Sequence, residues 1–516
     1  NIPGRDPEAQ GLIESLLEQD KQKYHCIFNS KGLHNHLSHH LLAAYDLGAP
    51  ASILQAIYDY ESARQRPIDV EDDGTLGQVQ TTPDNLREHL GERRYYPALL
   101  TFFTEQIKEL GVPETFERFI FSTTVNGKGF DMLSRFMSGA NHPWIQTGYE
   151  AEFGSDAMVA QGLAQAAVHP PVIPELLYKF AQLGPAEDTS VGDQRAKASA
   201  GRPLLHILRE VYDSEILHPV MPYDPDTSAL LNDLREALMK DGRPEELQRL
   251  CATWWGGTPE EEAAGLEKKV EELFWMITLL LSGSGKRGRK PRLDFFPMHA
   301  LNATIFMPSF LKIISNDVSR VKLVKAFLPV TLAIILARGR PRIDPGLAMS
   351  FTKTPRLPGS APTLTPSQDI IGDPNQSYNP WFQILPSIVH APNPHTVKAI
   401  RSLCYAAQRH GHKKVASVPG CFTDEGRQYE TIPGISEVDG TVFVRAAAVV
   451  MDTLGWVTHG DEAGKWDSSA LGWEDAWKTK IEGTKVWYWK EVAHYLCKYI
   501  TMYRSLGLEV FSLQRC

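Results

Sequence analysis

The feature that most constrains this chain is its period. Apolar residues recur three and four apart along most of its length, the spacing of one helix face rather than of a strand. Leu12, Ile13, Leu16 and Leu17 make one such face. Ser155 precedes Met158, Val159, Leu163 and Ala167 and predicts a capped helix. Pro174 opens a run with Leu176, Leu177, Phe180 and Leu183 that Gly184 closes. Thr227 opens another, with Leu230, Leu231, Leu234 and Leu238 before Gly242. Thr258 and Pro259 predict one long helix through Leu266, Val270, Leu273 and Phe274. Asn393 and Pro394 predict a helix with Val397, Ile400, Leu403 and Cys404 that stops before Gly411. Thr441 to Val444 is a weak strand candidate. The fold class is all-α, expected as one large multi-helix domain over 1–516, with loops at 67–83, 283–293 and 357–380.

Composition narrows the partners. With 42% hydrophobic and 22% charged residues the chain is an ordinary globular protein, and a net charge of -9 gives it no attraction to nucleic acid or anionic lipid. Six cysteines without a CxxC pair read as free thiols of a reducing, cytoplasmic setting, and Asn1 to Gln10 shows no secretory pattern. Leu323 to Ala337 is short for a membrane span and holds Lys325 and Pro329, so it reads as a buried core helix. Trp456, Trp466, Trp473, Trp477, Trp487 and Trp489 predict a terminal layer packed by large rings. Gly283 to Gly288 spells GxGxxG, but an apolar helix precedes it and Pro291 follows it. A dinucleotide site is therefore excluded, and flavin chemistry with it. The basic run to Arg292 reads as a solvated linker, with a nuclear address as the other reading.

The histidines carry the chemistry. Leu33 to His40 reads LHNHLSHH. On a helix His36 pairs with His39 or His40 on one face, a spacing that suits two imidazoles on one metal but is more often that of plain helix-surface histidines. His142 precedes Pro143, which fits the first helical position, so it stands at a helix start as a cap, a core residue or a ligand. His299 lies in an apolar run and is expected to be buried, where both ring nitrogens need partners. His395 and Lys398 share a face in the first turn after Pro394. The positive helix end there favours a neutral amine, which can add carbon dioxide to form a carboxylate-like carbamate; the plainer reading is a lysine reaching to solvent.

Taken together, LHNHLSHHLLAAYDLGAP, NHPWIQTGYEAEFG, GLAQAAVHPP, DFFPMHALNATIF, LARGRP, NPWFQILPS and PHTVKAIRSLCYAA resemble, in order, the questin oxidase-like family of filamentous fungi. The resemblance implies an oxygenase that opens a ring of an anthraquinone-type polyketide with dioxygen, by Baeyer–Villiger-type insertion or as a dioxygenase. It implies a mononuclear non-haem Fe(II) held by His36, His142, His299, His395 and a carbamylated Lys398. His36, His39 or His40 would act on the substrate, and Trp144, Tyr149 and Asn302 would line its pocket. Asn302 stands where many relatives carry Thr, and Tyr149 where bacterial relatives carry His. The alternatives are the same reaction with neither metal nor flavin, the quinone being reduced first by NADPH and a partner reductase, and a helical scaffold with no catalysis.

Overall fold

The computed structural model describes residues 7–29, 32–68, 80–127, 129–181, 201–219, 236–359, 367–424 and 426–478. The described part is built of helices joined by loops. Its helices are α1 (Pro7–Lys23), α2 (Leu37–Asp46), α3 (Ala51–Ser62), α4 (Tyr96–Phe116), α5 (Met132–Phe136), α6 (Ser138–Phe153), α7 (Asp156–Val168), α8 (Pro174–Ala181) and α9 (Leu204–Asp213). They continue with α10 (Arg243–Ala252), α11 (Pro259–Ala264), α12 (Leu266–Gly283), α13 (Phe295–Thr304), α14 (Met307–Ile313), α15 (Asp317–Ala337), α16 (Pro345–Ser350), α17 (Trp381–Ile388), α18 (Pro394–His410) and α19 (Val442–Leu454). Among the described residues, extended pairing is limited to isolated bridges such as Ile27 with His34 and Asp294 with Asp467. The chain divides into a large unit, Asn1–Ala476, to which everything below belongs, and a short one, Trp477–Cys516.

The core is one contiguous apolar cluster. The middle of α15, from Leu323 to Leu336, is buried almost without interruption. Each Leu, Ile or Phe it hides contributes about 1.5–3 kcal/mol. No described helix is long and apolar enough to cross a membrane. Four helices form a closed ring that matters for function: α2 packs on α6, α6 on α13, α13 on α18, and α18 back on α2.

Several local expectations need correction. Thr441 to Val444 is no strand; it runs into the first turn of α19, because the apolar pattern continues to Leu454 at helical spacing. The long helix after Thr258 is two, parted at Gly265. Thr258 closes a full capping box with Glu261, whereas the Ser155 side chain makes no cap bond. Gly242 adopts φ 74° and starts α10 rather than merely ending its predecessor. The basic segment after Gly283 is tied down rather than a free linker: Arg287 pairs with Asp344 at 2.6 Å and Arg292 with Asp467 at 2.6 Å. The predicted start at Thr227 and the rings of Trp487 and Trp489 lie outside the described residues.

Candidate active site

Three helix starts and the second turn of a fourth helix deliver four imidazoles to one point. His36 is the N-cap of α2, and Asn35 Oδ1 accepts from the Leu37 amide at 2.9 Å to launch the helix. His142 begins the right-handed part of α6, after Gly139, Ala140 and Asn141 make a left-handed turn at φ 55°, 54° and 64°. His299 follows the Asp294 cap of α13, and His395 the Asn393 cap of α18. One ring nitrogen from each of His36, His142, His299 and His395 lies within 4.8 Å of the others.

The outer nitrogens decide what the inner ones are. Nδ1 of His36 meets the His34 carbonyl at 2.6 Å, Nδ1 of His299 the Phe295 carbonyl at 2.8 Å, and Nδ1 of His395 the Asn393 Oδ1 at 3.1 Å; Nδ1 of His142 meets the Gly139 carbonyl. Oxygen acceptors put the proton on Nδ1, so each neutral ring presents a bare Nε2 lone pair. Nε2 of His36 and of His142 face each other at 2.9 Å. Two lone pairs repel at that distance unless a cation or a proton lies between them. Nε2 of His299 and of His395 are buried with no partner. The rings do not supply that proton themselves. Burial above all, then the neighbouring Lys398 and histidines, holds these imidazoles well below their usual range, with His299 lowered to about 3. Imidazoles bound cis to one ion at about 2.1 Å sit about 3 Å apart, so the donor set fits one transition-metal ion.

Lys398 is one turn from His395, 2% exposed, and its Nζ has no partner. Burial lowers its amine to about 7. An amine that gives up its proton near pH 7 thus stands beside four neutral imidazoles.

Residues 33–403, most of the chain, match the family described as questin oxidase-like. The chain belongs to that family. It is 29% identical to a Baeyer-Villiger oxidase of Paecilomyces divaricatus over 58% of this chain and 61% of that one. It is 25% identical to a Baeyer-Villiger monooxygenase of Aspergillus aculeatus over 92% and 91%, and 27% identical to a questin oxidase of Aspergillus fumigatus over 58% and 64%. The matches to the first and third thus span less than two thirds of those relatives.

In this questin oxidase-like chain the remaining expected residues take different places. His39 is fully buried, set edge-on to His36 with centroids 5.5 Å apart and stacked on Tyr149 at 5.3 Å; neither ring nitrogen has a partner at bonding distance. His40, expected on the same face, turns away, and its Nδ1 meets Glu61 Oε1 at 3.0 Å. Trp144 is fully buried among Phe136, Phe310 and Phe327, and its indole donates to the Ala303 carbonyl at 3.0 Å. Tyr149 touches His39 and Phe306 and lies beneath Arg401. Asn302 is buried; its Nδ2 reaches Met298 Sδ at 2.9 Å and its Oδ1 has no partner.

Three residues were not singled out from the sequence. Half-buried Phe295 sets its ring against His299 and His395, 4.5 and 4.9 Å away; its position four before His299 was the available signal. His34 stacks on His142 at 3.8 Å, and its Nε2 meets Nε2 of His169 at 2.7 Å. No local spacing links His34 to His169.

Proposed function

We propose that this chain is an oxygenase of fungal secondary metabolism that breaks a ring carbon–carbon bond of a reduced, hydroxylated anthraquinone-type polyketide with dioxygen. The observation that carries this reading is the set of four inward-facing imidazole lone pairs. His36, His142, His299 and His395 would hold Fe(II), and Lys398, once carbamylated, would add an anion. Bound Fe(II) would supply the one-electron chemistry through which ground-state dioxygen reacts with a closed-shell aromatic. The protein does the rest. The Nδ1 contacts fix the tautomer and aim of each ring. The positive helix ends at His36, His142 and His395 favour anionic groups at the centre, a phenolate or a carbamate among them. His39, held neutral by burial and by Lys398, can accept a hydrogen bond from a substrate phenol. Phe295 offers a ring edge for a flat substrate beside His299 and His395.

The test is turnover of anthrahydroquinones, generated by NADPH and a reductase, under isotopically labelled dioxygen. The reading expects ring-opened product carrying the label and loss of turnover after complete iron removal. Full turnover by iron-free protein would reassign the imidazoles as bases. No labelled product from any such substrate would overturn the oxygenase reading.

A further inference from the structure

Two buried histidines stand outside the metal-binding set and bear on two of its members. His34 and His169 are 7% and 8% exposed, and their Nε2 atoms meet at 2.7 Å. Among the described residues, side chains suited to a metal gather in threes or more only at His36, His142, His299 and His395. A shared proton rather than an ion therefore spans the gap, one ring donating and the other accepting. His34 reaches the metal-binding set twice. Its carbonyl accepts from Nδ1 of His36 at 2.6 Å. Its ring lies flat on that of His142, with centroids 3.8 Å apart and planes 8° from parallel. It also walls the turn that launches His142: a Cβ on Gly139 would come within 2.9 Å of both the His34 and the His169 ring.

His169 is the fixed end of this arrangement. It caps the C-terminus of α7 with extended backbone, and its amide donates to the Ala166 carbonyl at 3.2 Å. The Arg135 guanidinium of α5 donates to the His169 carbonyl, and Arg135 Nε donates to the Phe130 carbonyl at 2.8 Å. One residue on, the Pro170 carbonyl accepts from Ser138 Oγ, at the start of α6, at 2.8 Å. The backbone around His34 is fastened as well: His34 bridges to Ile27, and the Asn35 amide donates to the Cys26 carbonyl at 2.8 Å. With both backbones held, the His34 ring keeps only its side-chain rotations. A flat stack lets a ring slide and turn in its own plane, whereas a hydrogen bond to one ring nitrogen fixes its orientation. We propose that His169 is a positioning residue: its Nε2 bond holds the His34 ring against His142 and so sets the aim of one metal-binding imidazole. The inference rests on the reading of the four imidazoles as metal ligands. The His36 contact runs through a backbone carbonyl and does not depend on the His34 ring, so the effect belongs to His142.

The test is the affinity of the metal-free full chain for Co(II), read from visible absorption, in the natural chain, His169→Leu and His169→Gln. Leucine keeps much of the volume and loses the bond; glutamine has similar volume and carries a polar group to the place of Nε2. His169→Leu is expected to bind Co(II) about tenfold more weakly, with a changed visible spectrum, and His169→Gln to recover most of that loss. A merely structural role would lower the melting temperature of His169→Leu and leave the affinity and spectrum of the folded chain as they were; that result overturns the proposal. So does a His169→Gln chain no better than His169→Leu, because the bond would then not be what holds the ring. A second arm needs no metal: crystal structures of the metal-free natural chain and of His169→Leu. A His142 ring turned away from its natural place supports the proposal, and an unmoved ring overturns it. If the natural chain binds no Co(II), the metal reading fails while the crystal arm still decides whether His169 aims His142.

Discussion

At the scale of single residues, what distinguishes this protein is where protons are not. Lys398 is a lysine without a counter-ion, lowered by burial to about 7. Its free amine grows as pH rises through 7, and so should the carbamate formed from it. Carbon-13 bicarbonate is expected to give one carbamate signal by NMR that strengthens from pH 6 to 8 and is missing from Lys398→Met. No such signal in the natural chain would leave the amine bare. Asp20 shows the opposite displacement. Folded, it keeps its proton up to about pH 6, where the ordinary carboxyl value is 3.8. Between those values the fold binds the extra proton, so stability falls as pH rises across that window, by about 3 kcal/mol in all. Asp20→Asn should therefore be flat there and more stable than the natural chain at pH 7 by up to about 3 kcal/mol. Denaturant melts at pH 4, 5, 6 and 7 check this, and parallel curves would contradict it.

At the scale of elements, the left-handed turn at Gly139, Ala140 and Asn141 sets the aim of His142. A left-handed non-glycine residue costs about 1–2 kcal/mol, so Ala140→Gly should gain roughly 1 kcal/mol in thermal melts. Gly139→Ala should do the reverse. Its Cβ would lie 2.9 Å from the rings of both His34 and His169, so loss of stability together with loss of bound metal is expected; unchanged metal content would show that the turn does not aim the ring. The helix starts themselves were legible, because Asn393-Pro394 and His142-Pro143 are local signals. The left-handed turn was not. Nothing in Ala140 or Asn141 alone demands φ above zero; the packing of His34 and His169 against the turn does. Thr441 to Val444 misread for a related reason: four β-branched and aromatic residues look extended until their continuation to Leu454 is counted.

For the large unit as a whole, the site is a property of packing that no window of sequence contains. Histidines at 36, 142, 299 and 395 meet only because α2, α6, α13 and α18 close a ring. The resemblance to a known family supplied that grouping in advance; periodicity supplied helices without saying which would touch. The ring is braced from outside. Asp294, the cap of the His299 helix, pairs with Arg338 at the end of α15, and both are buried. The segment from Trp466 to Leu471 straps across: the Asp467 carbonyl accepts from the Phe295 amide at 2.8 Å, and Trp466 Nε1 donates to Thr396 Oγ1 at 3.2 Å. Arg338→Met would leave Asp294 without its buried partner, and a loss of about 3–5 kcal/mol is expected in denaturant melts; a change below about 1 kcal/mol would contradict the brace.

The most direct measurement of the central claim is the iron stoichiometry of anaerobically reconstituted protein, with X-ray absorption to identify the ligands. The account expects about one iron per chain, surrounded mainly by imidazole nitrogen, and loss of that iron in His299→Ala. A folded natural chain that retains no iron or any other metal under these conditions, or one that binds it without imidazole, would contradict it.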